Sequence, residues 1–364
     1  MAKLLLLFED DWEIGGDGRG QVIEQQLMPV FFLLRLAQEL PLRFNFMAEA
    51  MQQVAMSRYN SKPLLAAQAS FWTSTVQLML KSGHDVQLHI HPQWHELSEK
   101  GAFLVPSRKW NLAAYPPADI ECIVSEAERV IGEAAQAVAP QFRLNAYKAG
   151  SWALQPSLPL LDVLRNHGIR YVIGPGAGIC FNGPEFRADW SNLEEPVVPY
   201  YPRLDDAARK SPTDCGVVIF PIPYVRMSPR MHLARLTNAL RSRVVSPADW
   251  TPHLGYSYPP ELQAPDPMGR VSAFRPLRTY EVCDRGLTFM RAALDQVFAR
   301  YLKLDRSEVP VVLQMHTKGF IGNFGALRAL FQYMCERYRG QFECLLFREL
   351  PDIEKSRPFV LPNS

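Results

Sequence analysis

Lys3-Leu-Leu-Leu-Leu-Phe8 is an apolar run followed directly by the acidic residues Glu9-Asp10-Asp11. An apolar run of this length, bounded by charged residues, is typical of a buried β-strand. Similar short runs recur along the chain, and longer segments with helical periodicity separate them. Because parallel strands need long crossover connections, which are usually helices, this alternation predicts an α/β fold of mainly parallel strands, open or closed into a barrel.

The predicted elements follow one another over most of the 364 residues. The predicted strands are 3–8, 42–46, 85–91, 142–147, 169–173, 215–220, 311–316 and 342–347. The predicted helices are 22–40, 63–83, 117–138, 158–166, 232–242, 286–302 and 324–338. The alternation stops between Pro196 and Pro276, where fourteen of the thirty prolines lie. Such a stretch favours loops, so we expect an insertion there.

Composition excludes several classes of protein. Hydrophobic residues make up 48% of the chain and charged residues 21%, which is typical of a globular enzyme. The 39 basic and 37 acidic residues give a net charge of +2, so the basic surplus expected of a nucleic-acid-binding protein is missing. The six cysteines form no C-x-x-C pair, which favours free thiols in a reducing compartment. No apolar run is long enough for a secretion signal or a membrane span, and we expect a cytoplasmic protein.

Side chains suited to acid–base or metal chemistry lie at the carboxyl ends of four of the predicted strands. In parallel α/β folds, reactive groups gather at the carboxyl ends of the strands. We therefore expect these side chains to lie close together in one site. They are Glu9, Asp10 and Asp11 at the end of the first strand, His89 and His91 at the end of the third, Lys148 at the end of the fourth and His316 at the end of the seventh.

His89 and His91 are two residues apart, so on a strand they point to the same side. Two neutral imidazoles and one carboxylate from a neighbouring strand make a metal site with open positions. An isolated pair of this kind is more often only hydrogen-bonded, but the acidic strand end nearby favours the metal site. His95 offers an alternative, because four residues separate it from His91 and a helix would bring these two together.

These four strand ends, in this order, resemble the motifs of the polysaccharide deacetylase superfamily, carbohydrate esterase family 4. Phe8-Glu9-Asp10-Asp11-Trp12 occupies the place of the family's aspartate-pair motif, and Asp85-Val-Gln-Leu-His89-Ile-His91-Pro92 resembles a shortened form of its histidine motif. Tyr147-Lys148-Ala-Gly-Ser-Trp152 matches the third motif, with a lysine where the family has an arginine. Leu313-Gln-Met-His316 matches the last motif. The histidine spacing of two rather than four is a further departure.

The resemblance implies an irregular (β/α)7-type barrel of mainly parallel strands. It implies a single deacetylase-like domain over residues 1–364, with the proline-rich insertion at about 179–280. The implied activity is metal-dependent removal of an acetyl group, N-acetyl more often than O-acetyl, from a sugar of a surface polysaccharide or its precursor. A carbohydrate is then the expected partner, and zinc is the expected cofactor.

The resemblance also implies roles for individual residues. Asp11, His89 and His91 are the expected metal ligands. Asp10 is the expected catalytic base, and His316 the proton donor to the leaving amine. Lys148 is expected to act as a point charge, because a lysine cannot clamp a carboxylate through two hydrogen bonds. Glu9 and Asp10 are an alternative base and ligand pair, and Trp94 and Trp152 are candidates for stacking on a sugar ring.

Three other functions fit parts of the sequence. A catalytically inactive carbohydrate-binding barrel would explain the altered histidine spacing and Lys148. A barrel amidohydrolase also uses a His-x-His pair and a lysine, but there the pair ends the first strand. A glycoside hydrolase with Asp10 or Asp11 and Glu281 as its two carboxylates would leave the histidines unexplained.

Overall fold

The fold is taken from a computed structural model, which describes most of the chain. The described residues are 2–13, 19–21, 29–99, 102–182, 187–193, 197–244, 256–257, 277–283, 286–317, 323–356 and 358–360.

Seven parallel strands form a nearly closed barrel, which confirms the predicted (β/α)7-type architecture. With an eighth strand, the strands are β1 (Lys3–Trp12), β2 (Phe44–Glu49), β3 (Asp85–Ile90), β4 (Ala146–Ala149), β5 (Tyr171–Gly174), β6 (Val218–Pro221), β7 (Glu308–His316) and β8 (Phe342–Cys344). The hydrogen-bonded order in the barrel is β6-β5-β4-β3-β2-β1-β7, so β1 to β6 are neighbours in chain order and β7 pairs with β1. Strand β8 pairs with the first half of β1, while β2 pairs with its second half.

Helices connect the strands and cover the outer face of the barrel, where the larger apolar core lies. Their bounds agree with the sequence predictions to within a few residues, apart from two short helices that had no clear periodicity. Residues 22–28 of the predicted helix 22–40 lie outside the described residues. The helices are α1 (Val30–Glu39), α2 (Ala50–Ser57), α3 (Pro63–Lys81), α4 (Pro117–Gln136), α5 (Ser157–Asn166), α6 (Pro229–Val244), α7 (Leu287–Tyr301), α8 (Phe324–Arg337) and α9 (Leu350–Ser356).

Side chains of β1 alternate between the two faces of the barrel wall. Leu4, Leu6 and Phe8 belong to the outer core beneath the helices. Leu5 and Leu7 belong to the smaller core inside the barrel. The same alternation continues to the end of the strand, so the residues that follow Leu7 on the inner face are Glu9, Asp11 and Glu13.

The end of the barrel that holds the amino ends of the strands is filled by the chain that follows β8. Phe347, Leu350, Phe359 and Val360 pack there against inward residues of the strands. Asn45 fixes this segment, because its side-chain NH₂ donates to the Leu345 carbonyl at 3.1 Å and its oxygen accepts the Phe347 N–H at 2.8 Å. The open end of the barrel is therefore the opposite one, at the carboxyl ends of the strands.

The region predicted as an insertion contains short antiparallel pairs where it is described. Residues 183–186, 194–196, 245–255 and 258–276 of that region lie outside the described part, so its extent stays a prediction. The antiparallel pairs are Cys180–Asn182 with Arg187–Asp189, Pro202–Arg203 with Asp206–Lys210, Tyr224–Arg226 with Leu277–Thr279, and Tyr256–Ser257 with Arg19–Gln21.

None of the helices described is both long enough and apolar enough to cross a membrane.

Candidate active site

Polar side chains from five strands and their extensions meet inside the open end of the barrel. They form two adjoining groups, both almost completely buried. The first, which we call the histidine–carboxylate cluster, contains Glu13, Glu49, His89 and His91. The second, which we call the lysine cluster, contains Glu9, Asp11, Lys148 and Gln314.

The histidine–carboxylate cluster has the composition of a metal site. One potential ligand atom from each of its residues lies within 4.8 Å of all the others. Glu13 Oε2 is 3.1 Å from His89 Nε2 and 2.7 Å from His91 Nε2. His89 Nδ1 is 2.9 Å from the carbonyl oxygen of Lys148, which favours the tautomer with its proton on Nδ1 and leaves Nε2 as the ligand atom.

The negative charges around His89 also favour a cation. Burial lowers the pKa of His89, but Asp11 and Glu13 override burial and raise this pKa to about 9. Burial raises the pKa of Glu49 to about 8. Glu49 Oε2 is buried without a hydrogen-bond partner among the described residues, so it has a lone pair to offer. Two imidazoles and two carboxylates, one with an unpaired oxygen, could hold a metal ion.

The lysine cluster holds an ionised aspartate. Lys148 Nζ is 3.1 Å from Glu9 Oε2, 3.1 Å from Gln314 Oε1 and 3.3 Å from Asp11 Oδ1. Burial acts to raise the pKa of Asp11, but the charges of Lys148 and His89 hold it well below its usual range. Burial raises the pKa of Glu9 well above its usual range. Asp11 is therefore the carboxylate that stays charged beside Lys148.

Asp10 and Asp11 face opposite sides of the barrel wall. Asp11 pairs in register with His316, and its Oδ2 is 3.0 Å from His316 Nε2. Asp10 lies on the outer side, where its Oδ2 accepts a hydrogen bond from the Thr317 hydroxyl. Burial raises the pKa of Asp10 to about 7. The structure thus brings Asp11 together with Lys148 and His316, and the base role predicted for Asp10 stays a prediction.

The two tryptophans predicted to bind substrate differ in exposure. Trp94 is 1% exposed and stacks on His91, with 4.0 Å between ring centroids, so it supports that imidazole from behind. Trp152 is half-buried, and its Nε1 donates to Gln314 Oε1 at 3.1 Å. Its φ of 59° lies in the left-handed region, which is strained for a side chain of this size. Only Trp152 therefore has a surface that a ligand could reach.

His95, the alternative partner of His91, is turned away from the histidine–carboxylate cluster. Its Nδ1 is 2.6 Å from the Pro92 carbonyl oxygen, and its Nε2 is 3.2 Å from Glu96 Oε1. Glu13 and Glu49 were not among the ligands predicted from the sequence. Glu13 could have been found by continuing the two-residue alternation Leu5, Leu7, Glu9, Asp11 by one more step.

The sequence finds no match among models of protein families or among curated proteins. Solved structures do match. One named as a glycoside hydrolase/deacetylase from Parabacteroides distasonis has a TM-score of 0.54 and 14% identity, covering 98% of this chain and 71% of that one. One named as a polysaccharide deacetylase from Pseudomonas aeruginosa PAO1 has a TM-score of 0.51 and 13% identity, covering 98% and 93%.

A third structure, an allantoinase, has a TM-score of 0.51 and 12% identity, and the likeness covers 99% of this chain and 93% of that one. At sequence identities this low, a match between structures shows a shared fold and not a shared activity. The chain therefore has the fold of solved polysaccharide deacetylases and of an allantoinase, which confirms, for the fold, the resemblance predicted from its four strand ends.

Proposed function

We propose that this protein is a metal-dependent hydrolase that removes an acetyl group, N-acetyl in the first place, from a sugar of a surface polysaccharide or its precursor. The observation that carries the proposal is the convergence of the histidine–carboxylate cluster with Asp11, Lys148 and His316 at the open end of the barrel. The fold shared with deacetylases supports the same class of reaction. The protein is proposed to act in the cytoplasm.

Glu13, His89 and His91 are the proposed metal ligands, with Glu49 as a further oxygen donor, and zinc suits this set of donors. A divalent ion bound there would polarise the acetyl carbonyl and lower the pKa of water. Trp94 holds the His91 ring, and the Lys148 carbonyl holds the His89 ring, so the chain fixes the orientation of both imidazoles. The alternative, which follows the sequence resemblance, has Asp11 as the carboxylate ligand.

Hydrolysis of an N-acetyl group adds water across the amide bond and yields an amine and acetate. One proton must leave the attacking water, and one must reach the departing nitrogen. We assign the first transfer to Asp11, whose carboxylate Lys148 keeps ionised, and the second to Nε2 of His316. In the alternative assignment Asp10 accepts the first proton. Trp152 is proposed to contact the sugar ring.

The decisive experiment measures bound zinc and released acetate on the same purified samples, with N-acetylated sugar oligomers as substrate. We expect one zinc per chain at the histidine–carboxylate cluster and acetate release by the wild-type protein. Loss of zinc in Glu13→Gln and in the double variant His89→Ala/His91→Ala is expected. Asp11→Asn and His316→Ala should keep zinc and lose turnover by about 10²- to 10⁴-fold.

Two outcomes separate the assignments. If Asp11→Asn loses zinc while Asp10→Asn keeps zinc and loses turnover, the assignment from the sequence resemblance is correct. A zinc content of the double histidine variant equal to that of the wild type would refute the histidine–carboxylate cluster as a metal site. A protein that binds the sugar oligomers without stoichiometric zinc and without acetate release would be the inactive carbohydrate-binding barrel.

A further inference from the structure

A second group of metal-ligating side chains lies beside the lysine cluster. It consists of Glu281, Cys283 and His316, and we call it the thiol cluster. One potential ligand atom from each lies within 4.8 Å of the other two. We propose that the thiol cluster is a second metal site, which takes a thiophilic divalent cation such as Zn²⁺ and, when occupied, blocks His316 as a proton donor.

The backbone holds the thiol cluster together. The segment that follows the Leu277–Thr279 strand runs beside β7, where Glu281 forms a bridge with Gln314. The Val282 N–H donates to the Gln314 carbonyl at 2.8 Å. The His316 N–H in turn donates to Cys283 Sγ at 3.3 Å. These bonds fix the three residues relative to one another before any cation binds.

The donor atoms of the thiol cluster suit zinc. Cys283 is outside any disulfide and is 6% exposed, and its sulfur already accepts one N–H. A thiolate is a soft ligand, and with an imidazole and a carboxylate it favours Zn²⁺ over Mg²⁺ or Ca²⁺. The side chains of His316 and Glu281 are 19% and 28% exposed. A cation can therefore enter from solvent, and three protein ligands leave a fourth position open.

The two nitrogens of His316 face different partners. Nε2 is 3.0 Å from Asp11 Oδ2, while Nδ1 is 3.5 Å from Gln314 Nε2 and 3.7 Å from Glu281 Oε2. A cation on Nδ1 leaves the single ring proton on Nε2, held towards Asp11. An imidazole that binds a metal in this way cannot also be an imidazolium, so it has no acidic proton to give. Binding at the thiol cluster stands independently, whereas its inhibitory effect rests on the proposed function.

Co²⁺ titration of the purified protein tests the site, because a thiolate bound to Co²⁺ absorbs in the near ultraviolet through charge transfer. We expect this absorption in the wild type, its loss in Cys283→Ser and its weakening in Glu281→Gln. The absorption should persist in Cys122→Ser, which changes an exposed cysteine of α4, and in the double variant His89→Ala/His91→Ala. Absorption that is absent from the wild type, or unchanged in Cys283→Ser, would overturn the proposal.

Two further measurements complete the test. Far-ultraviolet circular dichroism and thermal unfolding check that Cys283→Ser is folded, and Cys283→Ala serves as a second variant. Zn²⁺ beyond one equivalent should inhibit acetate release by the wild type, and Cys283→Ser should need at least a tenfold higher concentration. Equal inhibition of both would overturn the inhibitory role. Cysteine-dependent Co²⁺ absorption in a protein that releases no acetate would refute the proposed function and leave the thiol cluster standing.

Discussion

A step of one residue decides which carboxylates of β1 reach the inside of the barrel. Glu9 and Asp11 face Lys148, whereas Asp10, between them, faces Thr317 on the outer side. Two acids and one lysine therefore share a site from which water is largely excluded. Because little water is present there, the charge of Lys148 is needed to offset the buried acids, and removing it destabilises the folded chain.

Replacing Lys148 by methionine leaves these two acids without their cation. Lys148 is 1% exposed, so we expect Lys148→Met to lower the free energy of unfolding by about 3–5 kcal/mol, as measured by urea denaturation. Adding Asp11→Asn should recover part of that loss, because the acid that Lys148 keeps ionised is then neutral. The exposed Lys303 provides the control, and Lys303→Met should change stability by less than about 0.5 kcal/mol. Equal effects of the two lysine substitutions would contradict this account.

Gly150 sets the position of His91. A Cβ at residue 150 would lie 2.9 Å from both Cε1 and Nδ1 of the His91 ring and 2.9 Å from the Ile90 carbonyl oxygen. Gly150→Ala must therefore displace the imidazole, and we expect metal affinity to fall by about 10- to 100-fold, as for loss of a group that orients a ligand. Gly132 has nothing within 4 Å of such a Cβ, and Gly132→Ala should leave metal affinity unchanged. Isothermal titration with Zn²⁺ measures both variants.

Elements were predictable from sequence where strands are buried on both faces, because such strands read as continuous apolar runs. All eight predicted strands are present. Their ends were less predictable, because β1 continues through Glu9, Asp10 and Asp11 to Trp12. Acidic residues are depleted in strands, and partners distant in sequence, Lys148, His316 and Thr317, make them acceptable there.

Helix α2 and Glu49 were missed for a related reason. Helix α2 follows β2 without a loop, and residues Ala50 to Met56 are all buried, so no amphipathic pattern marks the boundary. Glu49 ends β2 and also caps α2 by accepting the Met51 N–H at 2.8 Å. A single side chain thus has a place in the strand, in the helix cap and in the candidate metal site, and only the folded chain reveals that combination.

The residue that precedes β3, His84, makes stability depend on pH. Burial, with smaller effects of Arg348 and Arg43, lowers the pKa of His84 to about 4. The unfolded chain binds a proton at His84 below about pH 6.5, while the folded chain stays neutral until about pH 4. Above pH 6.5, neutral His84 makes its full contribution to the free energy of unfolding. As the pH falls below 6.5, this contribution is lost by about 1.4 kcal/mol per pH unit, because the unfolded chain takes up the proton.

Comparison of wild type with His84→Gln isolates this effect. Asp85 titrates in the same range with the opposite sign, because burial raises its pKa to about 6, but it is present in both proteins. The stability advantage of the wild type should shrink by about 2 kcal/mol between pH 6.5 and pH 5. Urea denaturation at several pH values measures it. A difference that stays constant with pH would show that His84 is not the titrating group.

At the scale of the whole molecule, the two ends of the barrel differ in composition: one is apolar and the other is polar. The closed end is apolar, and the chain after β8 fills it; the open end holds nearly all the buried charge of the candidate site. Arg170, just before β5, ties α9 to the closed end through Glu354, with an N–O distance of 2.7 Å. Stability and chemistry are thus separated along the barrel axis, so that substitutions at the two ends should have separable effects.

Phe347 tests this separation. It is fully buried in the closed end, with its ring centroid 6.0 Å from that of Phe220 and 6.5 Å from that of Tyr171. Phe347→Ala should lower the free energy of unfolding by about 3–5 kcal/mol, because it leaves a cavity that the strands cannot close. Phe324, 37% exposed at the start of α8, is the matched control, with an expected loss of about 1 kcal/mol. Where Phe347→Ala is still folded, its zinc content should equal that of the wild type. A loss of zinc in proportion to the loss of stability would show that the two ends of the barrel are coupled after all.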